Sequence, residues 1–149
     1  MVEGVPETFP RECLDDKRTL SSFGYTEREG TFYKVFKTRK DHTGAHQTCE
    51  ADGGHLAVVN TEPINNFIVE LISDPEDFWI GLSDKYTEGT FMWADGTKLD
   101  GFDFTNWAPN EPNAQSGQNC VHMWSVYDYK WDDDYCYRQK YFICQIGTY

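Results

Sequence analysis

Five cysteines, at positions 13, 49, 120, 136 and 144, constrain this chain more than any other feature of its sequence. Cysteines at this density in a small acidic chain point to an oxidising compartment and a disulfide-stapled fold, although their positions alone leave the pairing open. The expected location is therefore secreted or extracellular, or within the extracellular part of a larger protein. A length of 149 residues fits one domain with a core of its own, and leaves too little chain for two.

The charge narrows the partners. Twenty-five acidic residues against 13 Lys and Arg give a formal net charge of −12, so nucleic acid and heparin-like polyanions are not expected, since both need clustered Lys and Arg. No apolar run approaches the roughly 20 residues of a membrane span. Met1-Val-Glu-Gly lacks the basic and apolar regions of a signal peptide, and the chain reads as a mature or recombinant fragment.

Taken in order, Met1 to about Ser22 is polar and aperiodic and reads as a tail, with one domain expected over residues 23–149. Phe23-Gly-Tyr25 and Gly30 to Phe36 have the aromatic content of a hairpin. A first helix is expected from the N-cap Asp41, with Ala45 and Cys49 on one face, ending at Gly53-Gly54. His42 and His46 stand four apart, but two histidines leave a zinc site incomplete, and a surface or packing role is expected for them. A second helix carries the apolar stripe Ile64, Phe67, Ile68, Leu71 and Ile72, with Thr61 as N-cap and Pro63 in the first turn. Strands are expected at Phe78–Leu82, Phe91–Trp93, Cys120–Trp124, Tyr127–Trp131 and Lys140–Cys144. Between them, Lys98 to Asn119 is rich in Gly, Pro, Asn and Asp, and a stretch of this kind inside a compact domain is usually functional or disordered.

That long stretch carries the chemistry. Trp107-Ala-Pro-Asn-Glu-Pro-Asn113 is followed by Gln118 and Cys120, and later by Lys130-Trp-Asp-Asp-Asp-Tyr-Cys136. Side-chain oxygens of Glu111, Asn113, Gln118, Asp132 and Asp133 form a candidate Ca2+ site, because this hard cation takes six to eight oxygen ligands on a sharply bent backbone. Pro112 supplies the bend, an X-Pro bond being held in cis at a cost of only about 0.5–1 kcal/mol.

Phe78-Trp-Ile-Gly-Leu-Ser-Asp84, Glu88-Gly-Thr-Phe-Met-Trp93, Asn106-Trp107, Glu111-Pro-Asn113, Trp131-Asp-Asp133 and four of the cysteines resemble the C-type lectin domain in order and spacing. The resemblance covers roughly Phe23 to Ile146. It implies an α+β C-type lectin-like fold: two helices, small antiparallel sheets and a long calcium-binding loop, stapled by Cys49–Cys144 and Cys120–Cys136. It further implies calcium-dependent carbohydrate binding, in which the ion coordinates sugar hydroxyls directly and Glu111, Asn113, Gln118 and Asp132 also meet the sugar. The Glu-Pro-Asn loop is of the mannose type and points to mannose, glucose, N-acetylglucosamine or fucose-like glycans over galactose.

Two positions depart from the mannose-type pattern, Gln118 standing for a Glu and Asp132 for an Asn. The changes cancel in charge but exchange donor for acceptor, since an ionised carboxylate only accepts while an amide NH2 donates. A second calcium position is expected to be weak, with Asp84 and Glu88 matching its carboxylates while Ala114 and Asn119 replace further acidic ligands. Trp124, Tyr127 and Tyr129 offer faces to a sugar, or packing. Cys13 is left over by the implied bridges and is expected to link two chains. A protein-interaction module on the same fold, with calcium in a structural role, is the alternative reading. No nucleophile elbow, phosphate loop or complete zinc motif suggests an enzyme.

Overall fold

Asp41 marks where an extended chain becomes helical. In the computed structural model, which describes residues 17–112 and 117–147, its carboxylate accepts from the Gly44 N–H at 2.8 Å. This satisfies one of the amides that a helix start leaves without an internal partner. Helix α2 (His42–Ala51) follows and buries His42, Ala45 and Cys49. Gly53, at φ 94°, turns the chain out of the helix, and Gly54 then packs on the Gln145 carbonyl with no room for a Cβ. Cys49 is bonded to Cys144, tying this helix to the last strand.

Helix α3 (Glu62–Leu71) starts as its sequence predicts. Thr61 accepts from Ile64 N at 3.3 Å and Pro63 sits in the first turn. Ile68 is fully buried, while Ile64, Phe67, Leu71 and Ile72 are partly buried against the same core.

The strands β1 (Thr26–Arg28), β2 (Thr31–Lys40), β3 (His55–Leu56), β4 (Phe78–Ser83), β5 (Met92–Trp93), β6 (Cys120–Trp124), β7 (Lys130–Asp134) and β8 (Lys140–Gly147) form one sheet. Its main order is β1-β2-β8-β4-β6-β7, with β3 on β8 and β5 on β4. Strand β4 is buried along its whole length. Its alternation sends Phe78, Ile80 and Leu82 into a core with Trp93, Trp131 and helix α3, and sends Trp79 into a second core with Phe32, Phe142 and Cys49. Both faces of the sheet are thus covered around its centre.

Four expectations need correction. The expected tail meets a short helix, α1 (Lys17–Ser22), whose Leu20 is 0% exposed in the second core, so apolar burial begins before Phe23. The described residues accordingly hold three α-helices, not two. The small antiparallel sheets are one eight-stranded mixed sheet, because β4 and β8 pair in parallel. The strand expected from Tyr127 starts at Lys130, since Ser125–Tyr127 is a 3-10 turn and Asp128 and Tyr129 follow at φ 56° and 63°. Cys13, Asn113 and Ala114 lie outside the described residues. No helix among the described residues is long and apolar enough to cross a membrane.

Candidate functional site

Strand β7 delivers the carboxylates. The antiparallel register of β6 and β7 sets Asp132 opposite His122 and Asp134 opposite Cys120, and the Cys120–Cys136 disulfide closes the same edge. The long loop is laid onto β7 by its backbone. Trp131 N donates to the Asn106 carbonyl and Ala108 N donates to the Trp131 carbonyl, each at 2.8 Å, while Glu111 N donates to the Ala108 carbonyl at 3.0 Å. Asn110 takes a left-handed conformation and the Glu111–Pro112 peptide is cis.

The outcome is a convergence of acids. One carboxylate oxygen each from Glu111, Asp132 and Asp133 lie within 4.8 Å of one another, and Asp133 is only 1% exposed. Glu111 Oε1 and Gln118 Oε1 are buried oxygens that no donor among the described residues reaches. Burial pushes the Glu111 carboxyl up to about 8, helped by a hydrogen bond with Asp133 and by the negative charges of Asp132 and Asp133. Such a set is a poor arrangement for carboxylates alone and a good one around a dication. All its donors are hard oxygens, which suits calcium and not the nitrogen and sulfur preferences of zinc or copper.

His122 was not singled out from the sequence. Its Nε2 lies 2.7 Å from Asp132 Oδ2, its Nδ1 is 3.8 Å from Asp77 Oδ2, and its ring meets Trp79 edge-on and lies tilted against Trp124. A lone polar residue between Val121 and Met123 in an apolar strand was the available signal. A groove of about 290 Å3 runs over Glu111, Gln118, His122, Trp124 and Asp132 to the cations Arg138 and Lys140. Both cations are engaged by Asp134, at 3.1 and 3.0 Å respectively. Trp124 is backed by Tyr127 at 4.5 Å between ring centroids, whereas Tyr129 donates its hydroxyl to the Asp74 carbonyl and packs against Phe78.

Asp84 and Glu88 are also brought together. Asp84 is 3% exposed and accepts from Gly89 N at 2.9 Å. The Asn119 amide, oriented with its NH2 toward them, donates to Asp84 at 3.2 Å and Glu88 at 3.1 Å. The Asp84 charge, more than any burial, raises the Glu88 carboxyl. No group of three acidic, His or Cys ligands among the described residues includes either of them, nor His42 or His46. His42 packs edge-on against Trp79, and His46 pairs with Glu50 at 3.1 Å.

A profile of the Lectin C-type domain matches residues 38–146. The human C-type lectin domain family 17, member A, is 30% identical over 132 residues; the aligned region covers 89% of this chain and 34% of that protein, so the chain spans about a third of its relative's length. Among solved structures, a calcium-independent type II antifreeze protein superposes with a TM-score of 0.77 at 27% identity, covering 85% of this chain and 93% of that one. The cow C-type carbohydrate-recognition domain of CD23, solved in the presence of a GlcNAc2Man3 oligosaccharide, gives a TM-score of 0.75 at 28% identity, covering 85% and 95%.

Proposed function

The chain belongs to the C-type lectin domain family, and on that premise we propose that it is a calcium-dependent carbohydrate-binding module whose ion is held by Glu111, Asn113, Gln118, Asp132 and Asp133. The observation that carries the proposal is the convergence of the Glu111, Asp132 and Asp133 carboxylates, with the buried, donor-less oxygens of Glu111 and Gln118 beside them. Calcium, when bound, supplies positive charge and coordination positions for two neighbouring sugar hydroxyls. The chain's own residues then set the hydrogen bonding. Glu111, Asn113, Gln118 and Asp132 meet the hydroxyls, the carboxylates as acceptors only and the amides as donors or acceptors. His122 occupies Oδ2 of Asp132, which leaves the other oxygen of that carboxylate for ion and ligand. Trp124 offers an apolar wall to the sugar ring.

Glu111 with Asn113 favours adjacent equatorial hydroxyls, as in mannose, glucose and N-acetylglucosamine, or the equivalent pair of fucose, over galactose. The oligosaccharide in the cow CD23 structure supports the ligand class. Competition on a mannose-bearing resin tests it: free mannose is expected to release the protein and free galactose to leave it bound, and the reverse order overturns the sugar preference.

A calcium-independent binding module is the second reading, favoured by the antifreeze protein of the same fold. Asp84 and Glu88 are the proposed weaker calcium position. We place the module in an oxidising, extracellular setting, which the Cys49–Cys144 and Cys120–Cys136 bridges support. Cys13 is proposed to join two chains, so a non-reducing gel is expected to resolve a dimer that the Cys13→Ser variant lacks.

A further inference from the structure

Strand β6 runs past the carboxylates into an exposed turn. His122 and Trp124 stand two apart on that strand and both line the groove. Asp132 is the cross-strand partner of His122, and Lys130 that of Trp124, so the level of Asp132 and the level of Trp124 are about 7 Å apart along the ladder. That is close to the length of one hexose. On the carbohydrate reading, a terminal sugar whose hydroxyls reach Asp132 therefore ends at Trp124, and whatever it is linked to meets the turn beyond.

This turn is apolar at its tip, where Gly, Pro, Asn, Asp and Ser are the usual residues. Val126 is 75% exposed and Tyr127 42%, and the Tyr127 ring rests against the Trp124 indole with centroids 4.5 Å apart. Backbone contacts hold the tip in place. Ser125 N and Oγ donate to Asp77 Oδ1 at 2.9 and 3.1 Å, and Tyr129 N donates to the Trp124 carbonyl at 2.9 Å. Asp128 and Tyr129 complete the turn in left-handed conformations that residues other than glycine seldom adopt. Asp77 also lines the groove, so groove and turn share an anchor. The fold uses Tyr129, whose hydroxyl donates to the Asp74 carbonyl, and leaves Tyr127 and Val126 to solvent. An apolar surface fixed in advance loses little freedom when a ligand settles on it.

Continuity with the groove decides the occupant. An aromatic ring offers a flat apolar face, and a pyranose matches it with axial C–H bonds when its ring substituents are equatorial. Glucose-configured residues, N-acetylglucosamine among them, have such a face, whereas mannose sets one hydroxyl axial. We propose that Tyr127 and Val126, backed by Trp124, form a second sugar subsite that stacks a glucose-configured residue linked to the sugar at the calcium cluster. This subsite rests on the carbohydrate reading and lengthens its ligand from one sugar to two.

The probes are N-acetylglucosamine and its dimer N,N′-diacetylchitobiose, each titrated in millimolar Ca2+ into the 15N-labelled chain. Both are expected to shift amides around Asp132, and only the dimer those of Val126, Tyr127 and Asp128. The dimer is expected to bind roughly tenfold more tightly, the scale of one aromatic contact. Tyr127→Ala is expected to abolish that advantage, and Tyr127→Phe, which keeps the ring, to retain it. Val126→Ser, at the more exposed position, is expected to reduce it as well, and reads the subsite even where Tyr127→Ala disturbs the indole it rests on. Equal affinity for the two sugars, turn amides that shift with both or with neither, or a full advantage kept by Tyr127→Ala and Val126→Ser overturns the subsite and leaves the carbohydrate reading standing. No saturable binding of either sugar up to about 50 mM overturns both.

Discussion

His122 Nε2 and Asp132 Oδ2 lie 2.7 Å apart across the β6–β7 ladder, where the two residues are direct cross-strand partners. The carboxylate only accepts, so the imidazole donates and fixes the rotation of the proposed ligand Asp132. Groups that orient a metal ligand in this way typically contribute 10–100-fold to metal affinity. His122→Phe is expected to weaken calcium binding by roughly that factor while the melting temperature in EDTA stays near that of the original. Calorimetric titration with Ca2+ measures it, and an unchanged affinity would deny His122 a positioning role.

Glu111 is held protonated more readily than an ordinary glutamate, its carboxyl pushed up to about 8 by burial and by Asp133 and Asp132. An uncharged, isosteric amide should therefore fit the calcium-free protein at least as well. Glu111→Gln is expected to melt at or above the original in EDTA and to lose the stabilisation by calcium. At an ion concentration about 100 times the Kd, that stabilisation is about 2.7 kcal/mol, or roughly 5–10 °C for a chain of this size. Paired thermal melts decide it.

Much of this architecture is legible in the sequence where a local rule and the global fold agree. Asp41 and Thr61 are N-caps in both, and the stripe on α3 packs as its period requires. Glu111 of the long loop and Asp132 and Asp133 of β7 stand far apart in the sequence motif, and their carboxylates lie within 4.8 Å of one another. What stayed hidden depends on strand register and local backbone geometry, which the linear pattern does not carry. His122 looks like an odd residue in an apolar strand until the register sets Asp132 opposite it. Tyr127 to Trp131 has strand-like aromatics, yet the left-handed Asp128 and Tyr129 delay the strand to Lys130. Lys140 and Asp134 announce nothing until β8 and β7 put them side by side.

His42 predicts an acid-sensitive fold. Burial, with the charges of Lys85 and His46, lowers its pKa to about 4 against the opposing pull of the Ile80 carbonyl and Asp41. The unfolded chain, with a histidine near 6.5, takes up a proton between these values that the folded chain refuses. Stability is thus full above about pH 6.5 and falls as the pH drops toward 4, by roughly 3 kcal/mol from this group. Urea unfolding in EDTA across that window is expected to give a flatter dependence for His42→Gln, even though the variant starts lower.

Lys140 and Asp134 form a buried pair, their side chains 10% and 8% exposed and 3.0 Å apart. Burial alone would raise the Asp134 carboxyl, but Lys140 and the Tyr135 N–H hold it below the usual range. Lys140→Met leaves that charge with Arg138, His122 and the Tyr135 N–H, and is expected to cost about 3 kcal/mol, the lower end for breaking a buried pair. Adding Asp134→Asn should restore part of the loss. Equal stability of the single and double variants by urea unfolding would remove the pair from the account.

Binding to a glycan array in millimolar Ca2+ and again in EDTA tests the central claim most directly, because ion dependence and sugar class are read together. The expected result is binding to mannose-, N-acetylglucosamine- or fucose-terminated glycans in calcium, abolished by EDTA and absent from Glu111→Gln. Equal binding with and without calcium, or no glycan bound by a protein that still binds Ca2+, would contradict it.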